Sequence, residues 1–308
     1  MNVDRKLYER KNEILSYMRD RAEESYGEVV RSYGNAEYKK RASGINKEII
    51  ATTDNIKKII FQRALSQNWD KNETLKNILI VTYCSYVIMI EFRNRAWPYE
   101  YMAFSRRIGE LWEPFCKLCF DYPVRSDVEL YEAPLFSEVK EQLHEEIRIY
   151  INSLNIGDEE KANLLDYYDK VWSLVTSGEI KLELDLHFKI GQQKYNIDFK
   201  SGFQSNEKGN TNRLLLVASI YKNIVGGEDN CMLFVRANED DNNHYLQTLK
   251  KSGIWEVYCG SETYEQIAKY SGFDLSAWIK TNIDWSGDLS AETIQYFKEN
   301  DLEKYLTW

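Results

Sequence analysis

Along the first 95 residues apolar side chains recur every three to four positions, the spacing of helices that bury one face. This spacing predicts helices over roughly 3–32, 46–66 and 73–94. The most apolar run, Ile78 to Ile90, is bounded by Lys76 on one side and Glu91 and Arg93 on the other. It is shorter than the about 20 apolar residues of a membrane span, so it reads as a buried helix and implies no membrane partner. Pro98 interrupts the pattern, because proline disfavours helix in the residue before it. A further helix is predicted from Ser105 to Phe120, a short strand over Asp127–Tyr131, and two helices at 135–154 and 158–176.

From Glu179 the period changes to two. Strands are predicted at 181–190 and 193–200, followed by a helix at 212–225 and a strand at Cys231–Arg236. A helix at 242–252, a strand at Trp255–Cys259, a helix at 262–271 and one terminal helix from Asp288 to Leu306 complete the pattern. Strands alternating with helices imply an α/β (α+β) fold with a sheet flanked by helices. The organisation expected is a helical N-terminal region, 1–95, and a second domain, 96–308, with a helical insertion at 135–176.

The pair of strands is the clearest feature. Leu182, Leu184, Leu186, Phe188 and Ile190 fall on one face, against Lys181, Glu183, Asp185, His187 and Lys189 on the other. The second strand sets Tyr195, Ile197 and Phe199 against Lys194, Asn196, Asp198 and Lys200. Gly191-Gln192 is a two-residue connection with glycine first, which suits a type II′ turn. That turn places Asp185 opposite Asp198 and Glu183 opposite Lys200. Directly opposed β-carbons are about 4.5–5.5 Å apart, and two carboxylates so placed repel by up to ~1 kcal/mol unless a cation lies between them. A hard divalent cation takes oxygen ligands of this kind. The plainer alternative is a solvated strand face on which Glu183 and Lys200 form a cross-strand ion pair.

Composition alters this picture little. The net charge of −9 does not favour nucleic acid, although residues 1–70 carry 14 Lys and Arg against 11 Asp and Glu. A local basic surface is enough for a DNA groove. The N-terminus lacks the apolar core of a signal peptide, and five cysteines form no evident disulfide framework, so a cytoplasmic protein is expected. Cys116 and Cys119 stand as one C-x-x-C among core-type residues and read as packing rather than zinc ligands. His144, His187 and His244 are too scattered for an H-E-x-x-H or HNH-type site, and no phosphate-binding G-x-x-x-x-G-K-[ST] occurs.

Asp185, a gap of twelve residues, then Asp198-Phe199-Lys200 resembles the D…(D/E)-x-K signature of the PD-(D/E)XK nuclease superfamily, which includes type II restriction endonucleases and Holliday-junction resolvases. Leu184 stands where the eponymous proline would be. The order of hairpin, helix and strand matches the family's, and Arg106-Arg107-Ile108-Gly109-Glu110 resembles its acid-bearing helix. The resemblance covers about residues 105–260. It implies a restriction-endonuclease-like mixed sheet core and a Mg²⁺ ion, replaceable by Mn²⁺, held by Asp185, Asp198 and the Phe199 carbonyl. Lys200 would polarise the attacking water, and Glu110 would act through water or on a second ion. Glu183 is a rival ligand if the register slips by two, and His187 reads as a nucleic-acid or solvent contact.

The activity this implies is hydrolysis of double-stranded DNA by a homodimeric, sequence-specific restriction enzyme. A repair or junction nuclease of the same fold is the alternative, and a non-catalytic nucleic-acid-binding or scaffold protein is the alternative of another class. Candidate phosphate contacts are Lys39, Lys40 and Arg41, expected in a loop between Gly34 and Gly44, with Arg106, Arg107, Lys208 and Arg213.

Overall fold

The computed structural model describes residues 1–34, 37–173, 180–204, 207–224 and 229–308. The chain opens with helices α1 (Lys11–Ser32), α2 (Tyr38–Ser66), α3 (Lys71–Ala96) and α4 (Tyr101–Asp121). Strand β1 (Val128–Leu130) and helices α5 (Phe136–Ser153) and α6 (Asp158–Ser173) come next. Then follow β2 (Leu186–Ile190), β3 (Gln193–Lys200), α7 (Lys208–Asn223), β4 (Asn230–Val235), α8 (His244–Lys251) and β5 (Glu256–Cys259). Helices α9 (Ser261–Ser271), α10 (Leu275–Asn282), α11 (Trp285–Asp288) and α12 (Ala291–Glu299) end it. The fold is mixed α/β, with one mixed five-stranded sheet in the order β1-β2-β3-β4-β5. The helix ends expected at 176 and 225 and the change of period at Glu179 lie outside the described residues.

Two compact units divide the chain. The first comprises Met1–Val128, Val235–Asn238 and Cys259–Trp308. Its centre is α3, whose residues from Ile78 to Ile90 are almost all buried. This helix is long and apolar enough to cross a membrane, yet 89% of its apolar window is buried inside the protein, as a core helix requires. The boundary expected at residue 95 falls inside this unit, because α1 and α3 are tied to the C-terminal helices by charged groups. Lys11 Nζ is 2.7 Å from Asp288 Oδ2, which also accepts the Tyr83 hydroxyl at 2.6 Å. Arg19 Nη2 meets Glu91 Oε1 at 2.8 Å, and the same oxygen accepts the Ser290 amide at 2.6 Å.

Two expectations for this unit are corrected. Tyr38, Lys39, Lys40 and Arg41 are not in a loop; they form the first turn of α2, which continues through Gly44. Ala42, Ile45, Ile49, Ile56 and Ile60 keep one buried stripe along the helix, outweighing the ~1 kcal/mol glycine costs inside a helix. A β-carbon at Gly44 would stand 3.3 Å from Val29 Cγ1, so α1 comes close here. The tail expected as one helix from Asp288 to Leu306 is not continuous: Asp288 ends α11, Ser290 caps α12 by accepting the Thr293 amide, and α12 stops at Glu299, with a 3-10 turn at Glu303–Tyr305 after it.

The second unit comprises Glu129–Phe234 and Glu239–Tyr258 and contains the sheet apart from its terminal residues. Its core is lined by Phe188, Ile197, Phe199, Met232 and Phe234 from the strands and Leu214, Val217 and Tyr221 from α7, all 2% exposed or less. Trp255 donates its indole N–H to the Leu214 carbonyl at 3.1 Å, fastening α7 to the residue that leads into β5. Helices α5 and α6 pair as a hairpin through Phe136, His144, Tyr168 and Trp172.

Candidate active site

The hairpin forms as the alternation dictates. Gly191 has φ +59°, and Gln192 is not among the non-glycine residues of positive φ, which is the type II′ combination. The ladder pairs Ile190 with Gln193, Phe188 with Tyr195 and Leu186 with Ile197 on the apolar face, and Lys189 with Lys194 and His187 with Asn196 on the other. Phe188 and Tyr195 stack at 4.8 Å between ring centroids, a cross-strand pair that helps hold this register. The register therefore does not slip, and Glu183, the rival ligand, stays at the surface.

The polar face is covered at His187, Asn196 and Asp198, not solvated as the plainer alternative has it. His187 is 7% exposed, and Asn196 and Asp198 are fully buried. His187 is therefore not a nucleic-acid or solvent contact. Its ring lies 5.5 Å from Tyr131 and 6.0 Å from Tyr221. Its Nδ1 lies 2.7 Å from Asn196 Oδ1, which also accepts the Tyr131 hydroxyl at 2.5 Å. Asn196 Nδ2 donates to Asp229 Oδ2 at 3.2 Å. Burial holds the His187 imidazole below its usual range, against the pull of Asn196 and nearby acids, and pushes the Asp229 carboxyl up.

The first strand is shorter than expected: the ladder stops at Leu186, and Asp185 occupies a bend. Continued by one step, Leu184 and Phe199 would exchange main-chain hydrogen bonds. Instead the Phe199 amide donates to Asp185 Oδ2 at 2.7 Å, and the Leu184 amide donates to His187 Nε2 at 2.9 Å. The Tyr221 hydroxyl donates to the Leu182 carbonyl at 3.1 Å. Side chains thus replace the ladder where the acids converge, and Asp185 is fixed against the main chain of β3.

Asp198 is the centre of charge. Lys200 Nζ donates to its Oδ1, and Arg213 Nη2, from α7, meets its Oδ2 at 3.1 Å. Burial pushes the Asp198 carboxyl up, with Asp185 pushing the same way and Lys200 and Arg213 opposing. Lys200 therefore turns to Asp198, not to Glu183 across the strand. Arg213, read from sequence as a phosphate contact, is part of the site itself. Lys208 opens α7 and is exposed.

Other expected residues lie in the first unit. Glu110 is on α4, half exposed, at 2.6 Å from Arg106 and 3.8 Å from Arg107. Lys39 lies over the Trp97 ring at 5.4 Å, Lys40 pairs with Glu37 at 2.5 Å, and Arg41 donates to the Tyr33 carbonyl at 3.0 Å. All five cysteines are buried thiols outside any disulfide.

A divalent cation can be tested against this geometry. Among the described residues no cluster of three or more His, Cys, Asp or Glu is placed to hold a metal. The hairpin offers two carboxylates and a carbonyl. The Lys200 ammonium bonds both Asp198 Oδ1 and, at 3.1 Å, the Phe199 carbonyl. A cation thus already stands where two hard oxygens converge beside Asp185. That donor set fits magnesium, which takes one or two carboxylates and keeps several waters. Comparison with protein-family models, curated proteins and solved structures gives no match to the chain.

Proposed function

We propose that this chain is a magnesium-dependent endodeoxyribonuclease whose site is Asp185, Asp198, the Phe199 carbonyl and Lys200. The observation that carries the reading is the fully buried Asp198 carboxylate with the Lys200 ammonium shared between it and the Phe199 carbonyl. A buried carboxylate is costly unless a cation compensates it, so retaining one beside a second acid is a poor solution for packing alone. A divalent ion held there supplies charge neutralisation at phosphorus and an acidified water. Lys200, released toward solvent, orients the attacking water and stabilises the charge that develops on the phosphoryl oxygens. The Arg213 side chain is 41% exposed, so its head can leave Asp198 for a phosphate of the substrate.

The order β2, β3, α7, β4 supports a restriction-endonuclease-like arrangement, and with it a sequence-specific enzyme acting as a homodimer on double-stranded DNA. A repair or junction nuclease of the same fold shares every residue of the site. The role proposed for Glu110 rests on the sequence resemblance. Incubating the protein with assorted DNAs and Mg²⁺, with Asp198→Ala as control, separates these readings. Discrete fragments from the wild type alone support a restriction enzyme, and unspecific nicking supports a repair enzyme.

A second reading has its own observation. Both oxygens of Asp198 already meet protein cations, which would serve a non-catalytic scaffold as a closed ion cluster. That version expects intact DNA and a melting temperature indifferent to Mg²⁺ and Mn²⁺.

A further inference from the structure

The groups that fix the metal-side aspartate are not the acids themselves but a buried polar chain on the covered face of the hairpin. His187 Nε2 accepts the Leu184 amide at 2.9 Å. Because a main-chain N–H can only donate, Nε2 must be the bare nitrogen and Nδ1 must carry the proton. That proton points to Asn196 Oδ1, 2.7 Å away. Asn196 in turn cannot rotate its amide, since its oxygen also accepts from Tyr131 and its nitrogen donates to Asp229. Every member is buried or half-buried: Asn196 fully, His187 and Asp229 at 7% exposure. A single tautomer is thereby written into the fold by Tyr131, Asn196 and Asp229.

The consequence falls on Asp185. Leu184 is its chain neighbour, and this is the step at which the ladder gives way. Without His187 the Leu184 amide would be a buried orphan, and it would regain a partner by pairing with β3 again. Re-pairing would require the Phe199 amide as well, and that amide is the one Asp185 now occupies. The imidazole therefore keeps the strand parted, and the parting is what leaves the Asp185 carboxylate beside Asp198.

Resting on the nuclease reading, we propose that His187 is a positioning residue for the metal site, locked in one tautomer by Asn196, Tyr131 and Asp229. It touches neither metal nor DNA and acts only through the Leu184–Asp185 backbone. Partners that orient a ligand from behind are typically worth about 10–100-fold in metal affinity.

The test is a Mn²⁺ titration of the full chain by calorimetry, alongside melting temperature in EDTA and the Mg²⁺ dependence of DNA cleavage. His187→Phe should weaken Mn²⁺ binding about tenfold or more and raise the Mg²⁺ needed for half-maximal cleavage, leaving KM for DNA at saturating metal unchanged. His187→Gln, whose side-chain oxygen can take the Leu184 amide, should recover most of the affinity. Tyr131→Phe removes one hydrogen bond to Asn196 and should weaken binding by a smaller factor, which keeps the test open if His187→Phe fails to fold. A wild type that binds no Mn²⁺ overturns the reading of the site and this proposal with it. A wild type that binds Mn²⁺, with His187→Phe or Tyr131→Phe equal to it, overturns the positioning role alone.

Discussion

Asp185 accepts the main-chain amide of Phe199 at 2.7 Å, so the acid that precedes β2 is anchored on the strand that carries Asp198 and Lys200. This one bond connects the fold to the chemistry. It ends the ladder, turns a carboxylate toward the buried Asp198, and leaves the Phe199 carbonyl to share the Lys200 ammonium.

The site trades stability for charge. Asp198→Asn removes a buried, desolvated carboxylate, while Lys200 keeps its bond to the Phe199 carbonyl and Arg213, 41% exposed, can be rehydrated. In EDTA this variant should melt at or above the wild-type temperature. In Mg²⁺ at 100 times its dissociation constant the wild type should gain about 2.7 kcal/mol that the variant does not. Thermal melts with and without metal check both halves.

Lys200 and Arg213 compete with metal for Asp198 oxygens, so binding and cleavage should separate. Lys200→Ala should bind Mn²⁺ at least as tightly as wild type while cleaving about 10²-fold or more slowly, as loss of one charge-stabilising donor implies. Arg213→Ala should lower the salt slope of DNA binding by about one and affect kcat less. Calorimetry and single-turnover kinetics on the same preparations decide.

Asp229 provides a pH test away from the metal ligands. Burial raises its carboxyl in the folded protein, so its contribution to stability is fully present below the usual carboxylate range and is lost as pH rises through the folded value. Asp229→Asn, which keeps an oxygen for Asn196, should match wild type at the acid end and melt higher at neutral pH. Melting temperatures of the two proteins from mildly acid to neutral pH check the sign.

The turn that fixes the register can be tested without function. Gly191 has φ +59° with open space where a β-carbon would stand, so Gly191→Ala meets backbone strain but no clash. A loss of about 1–2 kcal/mol by chemical denaturation is expected.

The hairpin was legible in the sequence because strict alternation specifies both faces and a two-residue glycine turn specifies the register. Asp185, Asp198 and Lys200 could be placed together on that basis alone. The break at Asp185 was hidden, because a side chain that captures an amide leaves no mark on a period of two. Burial of His187 was hidden too, since Tyr131 and Asp229 reach its partner Asn196 from β1's end and the approach to β4. A polar residue opposite Asn196 was the available hint. Arg213 belongs to the site only because α7 returns over the sheet, a tertiary fact. The break before α12 was signalled by Ser290, a capping residue that the apolar period of the tail overrode.

Calorimetric titration of the full chain with Mn²⁺, beside Asp185→Asn and Asp198→Asn, decides whether the two aspartates hold a divalent ion. Saturable binding of a divalent ion by the wild type and its loss in each variant are expected, with all three folded by melting temperature. No binding by the wild type, or equal binding by the variants, would contradict this reading of the site.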